Sequence, residues 1–366
     1  MAFLQSTQKF NITAPINQLG YGVTGLNIVK SLLEGGQDVS LFVLGQIQAD
    51  PNLHGFLKGC FESARFPDFD APSIRLWHQN DMAEFVGAGV RIGFPIFELN
   101  KFTDQEKHHL KFPDKLFVCS QWAKDVILEQ LSPDVKEDEV YVIPLGVDRS
   151  IFRDSVSSRP TTTFLNIGKW EIRKGHDILV EAFNRAFTEE DNAYLCMMCD
   201  NPFYTDDQNF EWERKYRGSA LGEKVRIIPR QESQQEVYQV MSQADCGVFP
   251  ARAEGWNLEA LEMLACGKHV IATNYSGHTE FLNEENSLLV EVSELEDAQD
   301  GIWFKGQGQW AKIGDKEIDQ IAEHMKYVHK LKQSDELNIN QAGIDTSKEF
   351  SWDATIQKIM EAVSDE

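Results

Sequence analysis

The sequence predicts an α/β protein built from two open, doubly wound layer domains and a closing helix. Three observations carry that prediction. Strand-length apolar runs alternate with amphipathic helical stretches along the chain, the pattern of parallel sheets covered by helices. The alternation stops once, at Pro144–Asp148 and the Ser/Arg-rich RSIFRDSVSSRP, and restarts at Thr161. The chain's 366 residues, 42% of them apolar, suit two cores of about 150–200 residues better than one. Residues 1–150 are read as the first domain, 151–345 as the second, and 346–366 as a terminal helix. Two such domains are expected to hold a ligand in the cleft between them, outside the carboxyl ends of their strands.

In the first domain, Lys9–Thr13 is a short strand leading into APINQLGYGVTGLNIVKSLLEGG. Gly20, Gly22 and Gly25 fall in the strand-to-helix turn, where missing side chains let backbone approach a phosphate. Their spacing has the form of a dinucleotide fingerprint. The following strand, VSLFVL, lacks the acidic ribose ligand that should close it. The turn therefore suits a phosphate, an acceptor or only a tight bend. Further strands are read at Ile74–Trp77, Arg91–Phe97, Leu116–Cys119 and Val140–Ile143, with helices between them. Ser120 is the N-cap of the helix QWAKDVILEQL.

The second domain opens with strand TTTFLNIG, loop KWEIRKG, helix HDILVEAFNRAF and strand AYLCMM. A polar excursion (Asn201–Glu223) precedes strand KVRIIP and helix SQQEVYQVMSQA. A buried strand, Ala244–Phe249, then introduces PARAEGWNLEALEMLACGKHVIATNYSG: a loop, a helix, the strand His269–Thr273 and a Ser-Gly turn. The tail from Lys316 reads as helical. Ser351 caps its last helix, with Ile356, Ile359, Met360 and Val363 on one face.

A net charge of −23 argues against generic nucleic-acid binding, which needs a large cationic surface. The start, MAFLQSTQKFNIT, lacks the charged-then-apolar pattern of a signal peptide, and no run of ~20 apolar residues spans a membrane. A soluble, cytoplasmic protein is expected. The segment Lys101–Lys115 mixes lysines with Asp104, Glu106 and Asp114 and does not favour membrane docking. Of six cysteines only Cys196 and Cys199 sit close together, on opposite faces of one strand, as buried reduced thiols rather than metal ligands. No metal framework is visible.

Two stretches carry chemistry. In the first, Glu254 lies in a loop and Glu262 eight residues on, with Gly255, Trp256, Asn257 and Leu258 forming a helix N-terminus between them. Free N–H groups and the macrodipole there favour an anion. Eight residues of helix span ~12 Å, too far for both carboxylates to act on one bond. They suit instead the two ends of a sugar nucleotide, whose diphosphate would meet the helix start. The second stretch, Gly168-Lys-Trp-Glu-Ile-Arg-Lys-Gly175, brings Lys169 and Lys174 to a strand–helix loop. Cations there can neutralise the charge that develops on a departing phosphate, so they help the transition state more than the ground state.

With both stretches in hand, the chain resembles the retaining GT-B-fold glycosyltransferases of the "glycosyl transferases group 1" type, family 4. The resemblance spans most of the sequence: the Gly-rich first turn, Val118–Lys124, Val142–Asp148, the lysine loop, Ala244-Asp245, the Glu-x7-Glu pair, and Phe350-Ser-Trp352. It implies two Rossmann-like domains facing across a cleft, with the final helix crossing back onto the first. It implies that Glu254 contacts donor-sugar hydroxyls, Glu262 the ribose, and the amides around Trp256 to Leu258 the diphosphate together with Lys174 and Lys169. Gly20, Gly22, Gly168, Arg173 and Gly255 complete the donor set, and main chain near Arg230 meets the base. No metal or other cofactor is expected, since lysines and a helix N-terminus take that place.

Two positions depart from the family. It usually has arginine at Lys169, and lysine keeps the charge without the bidentate fork. It often has a histidine ending a first-domain strand toward the donor. Here that region reads RIGFPIFE, leaving Glu98 and His78 as acceptor-side candidates. The expectation is a metal-independent transfer of a hexose, with retention, from a nucleoside diphosphate sugar to a hydroxyl of a saccharide, lipid-linked glycan or small metabolite. A nucleotide-sugar epimerase or hydrolase of the same fold, and a catalytically weak sugar-nucleotide-binding subunit, are the alternatives.

Overall fold

A computed structural model describes residues 7–48 and 53–365; the residues read above for a leader begin in 1–6, outside that range. The chain divides into two units. One gathers the residues up to Phe97, Lys101–Gly146 and those from Phe350 onward, and the other Glu98–Asn100 and Val147–Glu349.

The first unit is built on β1 (Lys9–Ala14), β2 (Asp38–Val43), β3 (Ser73–Trp77), β4 (Arg91–Pro95), β5 (Lys115–Val118) and β6 (Val140–Val142). They form one parallel sheet in the order β2-β1-β3-β4-β5-β6, with Ile12 opposite both Leu41 and Ile74. The strands are near-continuous apolar runs because helices cover both faces. Those helices are α1 (Gly20–Glu34), α2 (His54–Ser63), α3 (Asp104–His109) and α4 (Gln121–Leu131). Ser120 caps α4 by accepting from the Ala123 amide, as its position predicts. The last helix, α11 (Trp352–Ser364), also belongs here. Ser351 caps it, Thr355 Oγ1 donates to the Pro144 carbonyl at 2.8 Å, and it lies against α1. It buries Trp352, Thr355, Ile356, Ile359 and Ala362, whereas Met360 and Val363 are only half-buried.

The second unit holds β7 (Thr162–Gly168), β8 (Ala193–Cys199), β9 (Val225–Ile227), β10 (Cys246–Phe249), β11 (His269–Thr273) and β12 (Leu288–Val290). Their parallel order is β12-β11-β10-β7-β8-β9, a doubly wound sheet whose direction of winding reverses between β10 and β7. Around it stand α5 (His176–Ala186), α6 (Asp206–Arg217), α7 (Gln234–Gln243), α8 (Leu258–Ala265), α9 (Asp315–Gln333) and α10 (Gln341–Glu349). Phe164, Leu179, Phe183, Leu195 and Val248 centre its core.

Two elements were not assigned from the sequence and one boundary needs correction. The polar excursion Asn201–Glu223 carries an element. It contains α6, opened by a capping box between Thr205 and Gln208. An antiparallel hairpin, β13 (Leu295–Gln299) and β14 (Lys305–Ala311), stands where no element was expected. And α8 starts at Leu258 with Asn257 as its cap, so Gly255 and Trp256 lie in the preceding loop. All six cysteines are free, with Cys199 buried and Cys196 half-exposed. No helix of the described residues is long and apolar enough to cross a membrane.

Candidate functional site

In an open parallel sheet the crevice at the reversal of winding is the default ligand position. The loops leaving β7 and β10 at that reversal are the lysine loop and the Glu254 loop. Two glycines let the first of them fold. Gly168 (φ +151°) lies where a Cβ would strike Lys174, and Gly175 (φ +73°) where a Cβ would come within 2.1 Å of the Pro250 carbonyl oxygen. The loops are further tied by Arg252, which the sequence reading left without a role. Its guanidinium takes Asp177 bidentately at 2.7 and 2.8 Å and donates to the Ile172 carbonyl. Trp310 of the hairpin packs with Ala253 and Ile172 beneath them.

This frame gathers the charged side chains into one buried cluster. Glu254, 6% exposed, accepts from Lys174 Nζ at 3.0 Å and from Arg173 Nη1 at 2.9 Å. Arg173 also meets Glu171 at 2.9 Å and, more distantly, Glu98 at 3.8 Å. Lys169 pairs with Glu171 at 2.8 Å, and its ammonium lies 5.3 Å from the Phe203 ring centroid. Burial alone would raise the Glu254 carboxyl, but Lys174 and Arg173 outweigh it and hold the group down to about 2. Burial opposes charge on Lys174 and Arg173 as well, and Glu254 overrides it, so both titrate above their ordinary values. The expected cations are therefore present and fixed, already charge-paired by Glu254 and Glu171.

Glu262 behaves oppositely. It is equally buried on α8, and burial, with Glu259 nearby, pushes its carboxyl well above its ordinary value. Of two glutamates eight residues apart, the fold holds one carboxyl down and pushes the other up.

The backbone beside Glu254 is held under strain. Asn257 (φ +83°) caps α8 by accepting from the Ala260 amide, and its Nδ2 donates to His278 Nδ1 at 3.3 Å. Ser276 (φ +71°, ψ −151°) occupies a region populated almost only by glycine, and its hydroxyl accepts from the Glu254 amide at 2.8 Å. A Cβ on Gly277 would meet the Gly255 carbonyl, so these two loops run in backbone contact. The first-turn N–H groups of α8 emerge beside this junction. Trp256 is buried.

Sequence reasoning missed Glu171, Arg252, Ser276 and His176. His176 is fully buried. It accepts at Nδ1 from the Glu171 amide (3.0 Å) and at Nε2 donates to Asn166 Oδ1 (2.8 Å), while burial keeps it neutral, down to about 3. It fixes the lysine loop to the end of β7. Its position next to Gly175 was the available signal, but it read as a helical residue. Arg230 is turned to Asp200 at 2.7 Å, after β9. Glu98, expected on the acceptor side in the first domain, clusters with the second unit instead. Gly20, Gly22 and His78 are in the first unit. Gly22 packs its Cα against Asn17, and His78 is exposed at the end of β3 in edge contact with Tyr21 and Trp77. Among the described residues no group of three or more His, Cys, Asp or Glu side chains stands together to hold a metal.

Residues 161–303, which carry both loops, match the family "Glycosyl transferases group 1". Over its whole length the chain is similar to solved structures of low identity. The Anabaena protein HepE, crystallised with UDP and glucose, aligns with a TM-score of 0.69 at 15% identity, over 99% of this chain and 100% of that one. A sucrose-phosphate synthase from Thermosynechococcus elongatus aligns with a TM-score of 0.68 at 16% identity, over 97% and 98% of the two chains. The fold is GT-B. A curated relative, an uncharacterized glycosyltransferase of Methanocaldococcus jannaschii, is 24% identical over 256 residues, 69% of this chain and 60% of that protein. A second, a glycosyltransferase of a Sulfolobus islandicus filamentous virus, is matched over 47% of its length, so the chain spans roughly half of these relatives. In GT-B terms the Glu254–Arg173–Lys174 cluster belongs to the carboxyl edge of the second sheet.

Proposed function

We propose that the protein is a retaining glycosyltransferase that moves a hexose from a nucleoside diphosphate sugar to an acceptor hydroxyl without a metal ion. The observation that carries this reading is the buried Glu254–Lys174–Arg173 cluster beside the first turn of α8, at the point where the second sheet reverses its winding. A diphosphate arriving there would meet Lys174, Lys169 and the α8 amides, which can bear its charge as the leaving group forms. That a lysine pair and a helix start can do this supports metal independence. Glycosyltransferase relatives and a neighbour crystallised with UDP and glucose support the donor class.

In the reaction the acceptor oxygen bonds to the anomeric carbon as the bond from that carbon to the β-phosphate oxygen breaks. The electron pair goes to the phosphate, and the acceptor proton passes to a phosphate oxygen on the same face. Glu254 titrates near 2 and is held by two cations, so it is a poor nucleophile and a poor base. That disfavours a covalent intermediate on Glu254 and leaves same-face displacement as the retaining route. Glu254 then serves to accept from donor-sugar hydroxyls and to hold Lys174. Glu262 can hydrogen-bond the ribose, and main chain near Arg230 can meet the base.

A thermal-shift screen against UDP-, GDP-, ADP- and dTDP-sugars tests the donor. Binding at a hundredfold excess over Kd adds about 2.7 kcal/mol of stability. The hit is then incubated with candidate acceptors in EDTA and the anomeric configuration of the product read by NMR. An inverted product, or loss of activity in EDTA, would refute the respective part. Donor consumption without acceptor-dependent product would point to an epimerase or hydrolase, and binding with no turnover to a binding subunit.

A further inference from the structure

Beside the lysine loop lies a second feature that the transfer chemistry does not use. A cavity of about 190 Å³ is floored by Ile172 of that loop, Tyr204, Trp212 of α6, and Ile302 at the tip of the β13–β14 hairpin. Its polar rim is Gln208, Glu211 and Asp300. Large apolar side chains continue from it into solvent: Phe203 is 59% exposed, Trp303 51% and Ile302 43%. Such residues in one place mark a binding surface rather than scattered surface apolarity.

The aromatic groups are held in position. Asp300 Oδ1 accepts from the amides of Ile302, Trp303 and Phe304, fixing the hairpin tip. Trp303 and Phe203 meet edge to face, with centroids 6.1 Å apart, and Trp212 stacks flat on Trp170 of the lysine loop. Trp303 thus has its backbone fixed and its ring against Phe203, with much of its surface open to solvent.

We infer that this aromatic shelf is a saccharide-binding subsite that takes a neutral glycan, the part of the acceptor remote from the reacting hydroxyl. A pyranose has an apolar C–H face for the aromatic floor and equatorial hydroxyls for the carboxylate and amide rim. The cavity is below the ~300 Å³ where drug-sized pockets begin, so it suits a single ring. The exposed rings beyond it suit a chain of such rings. Both ionisable rim groups are acidic and the chain carries a net charge of −23, which disfavours anionic glycans, nucleic acids and anionic lipid surfaces. Continuity with the proposed donor site comes through Ile172 and through Lys169 over Phe203. The inference rests on the transferase reading only in calling the glycan an acceptor.

The test uses labelled full-length protein on a printed array of neutral and anionic glycans, beside phosphatidylcholine and phosphatidylglycerol vesicles. Neutral glycans should be retained, and Trp303→Ala and Ile302→Asn should each weaken that retention about tenfold. Both residues are solvent-facing, and unchanged melting curves would exclude misfolding. The UDP-glucose thermal shift of each variant is read in parallel. No neutral glycan above the Trp303→Ala background, preference for anionic glycans or vesicles, or loss of the nucleotide-sugar shift in Trp303→Ala would each overturn the subsite. Glycan retention in a protein that no nucleotide sugar stabilises would leave the subsite standing and remove the transferase reading instead.

Discussion

Replacing Glu254 by glutamine keeps the shape of the side chain and removes the one negative charge shared by Lys174 and Arg173. The carboxyl, ordinarily titrating near 4.5, is held down to about 2 in the fold. That gap, at 1.36 kcal/mol per pH unit, corresponds to about 3 kcal/mol of stability at pH 7. Because the folded value is depressed, this stability is fully present above pH 4.5 and is lost as pH falls toward 2. At pH 3 roughly 1 kcal/mol of it remains. Glu254→Gln should therefore cost about 3 kcal/mol at pH 7, within the range for breaking a buried charge pair, and clearly less at pH 3. Urea unfolding of both proteins followed by circular dichroism at the two pH values reads the difference directly. A penalty that is equal at pH 7 and pH 3, or one below about 1 kcal/mol at pH 7, would refute the claim that Glu254 is an ionised buried partner of these cations.

Lys174→Ala should lower acceptor-dependent turnover by at least ~10²-fold in a coupled assay for released nucleoside diphosphate, because the leaving-group charge loses its nearest cation. Near-normal transfer would remove Lys174 from the site. Glu262 has its carboxyl raised by burial, so the fold loses stability relative to the unfolded chain as pH rises above 4.5. Glu262→Gln should accordingly raise Tm at pH 8 and leave it unchanged at pH 4 by calorimetry, while donor affinity falls if this acid donates to ribose. Gly175→Ala puts a Cβ at positive φ and 2.1 Å from the Pro250 oxygen. It should cost at least 1–2 kcal/mol in chemical denaturation and lower donor affinity, since the lysine loop must shift.

What the sequence disclosed depended on how locally each feature was encoded. Strands such as His269–Thr273 and helix Gln121–Leu131 were readable to the residue, because apolar runs and a serine cap are local signals. The hairpin was not. In KGQGQWA burial alternates at Gly308 and Trp310, but glycine and glutamine carry no apolar signal for that strand, and Trp310 packs against Ala253. Helix α6 is almost wholly polar, with Tyr216 its one buried residue, and only the Thr205–Gln208 capping box marked it. The two charged loops were legible as motifs, whereas their electrostatics were not. That Glu254 is held down and Glu262 pushed up depends on which cations reach each carboxylate across about eighty residues of chain. The strained Ser276 had no signal at all, since serine followed by glycine reads as an ordinary turn.

The helix Trp352–Ser364 has a consequence for how the protein is made. It completes the first unit, where Gly146 lies so close to the Ser351–Trp352 backbone that a Cβ there would be 2.2 Å from the Trp352 amide nitrogen. The main stretch of the second unit, Val147–Glu349, lies in sequence between Gly146 and the final stretch of the first. On the ribosome residues 147–349 are therefore complete before the first unit is. The amino-terminal sheet must wait, with the face that α11 covers open to solvent, until Trp352–Ser364 leave the exit tunnel. Chains interrupted after Glu349 should accumulate with a finished second unit and an unfinished first one, and it is the first that chaperones would need to shelter.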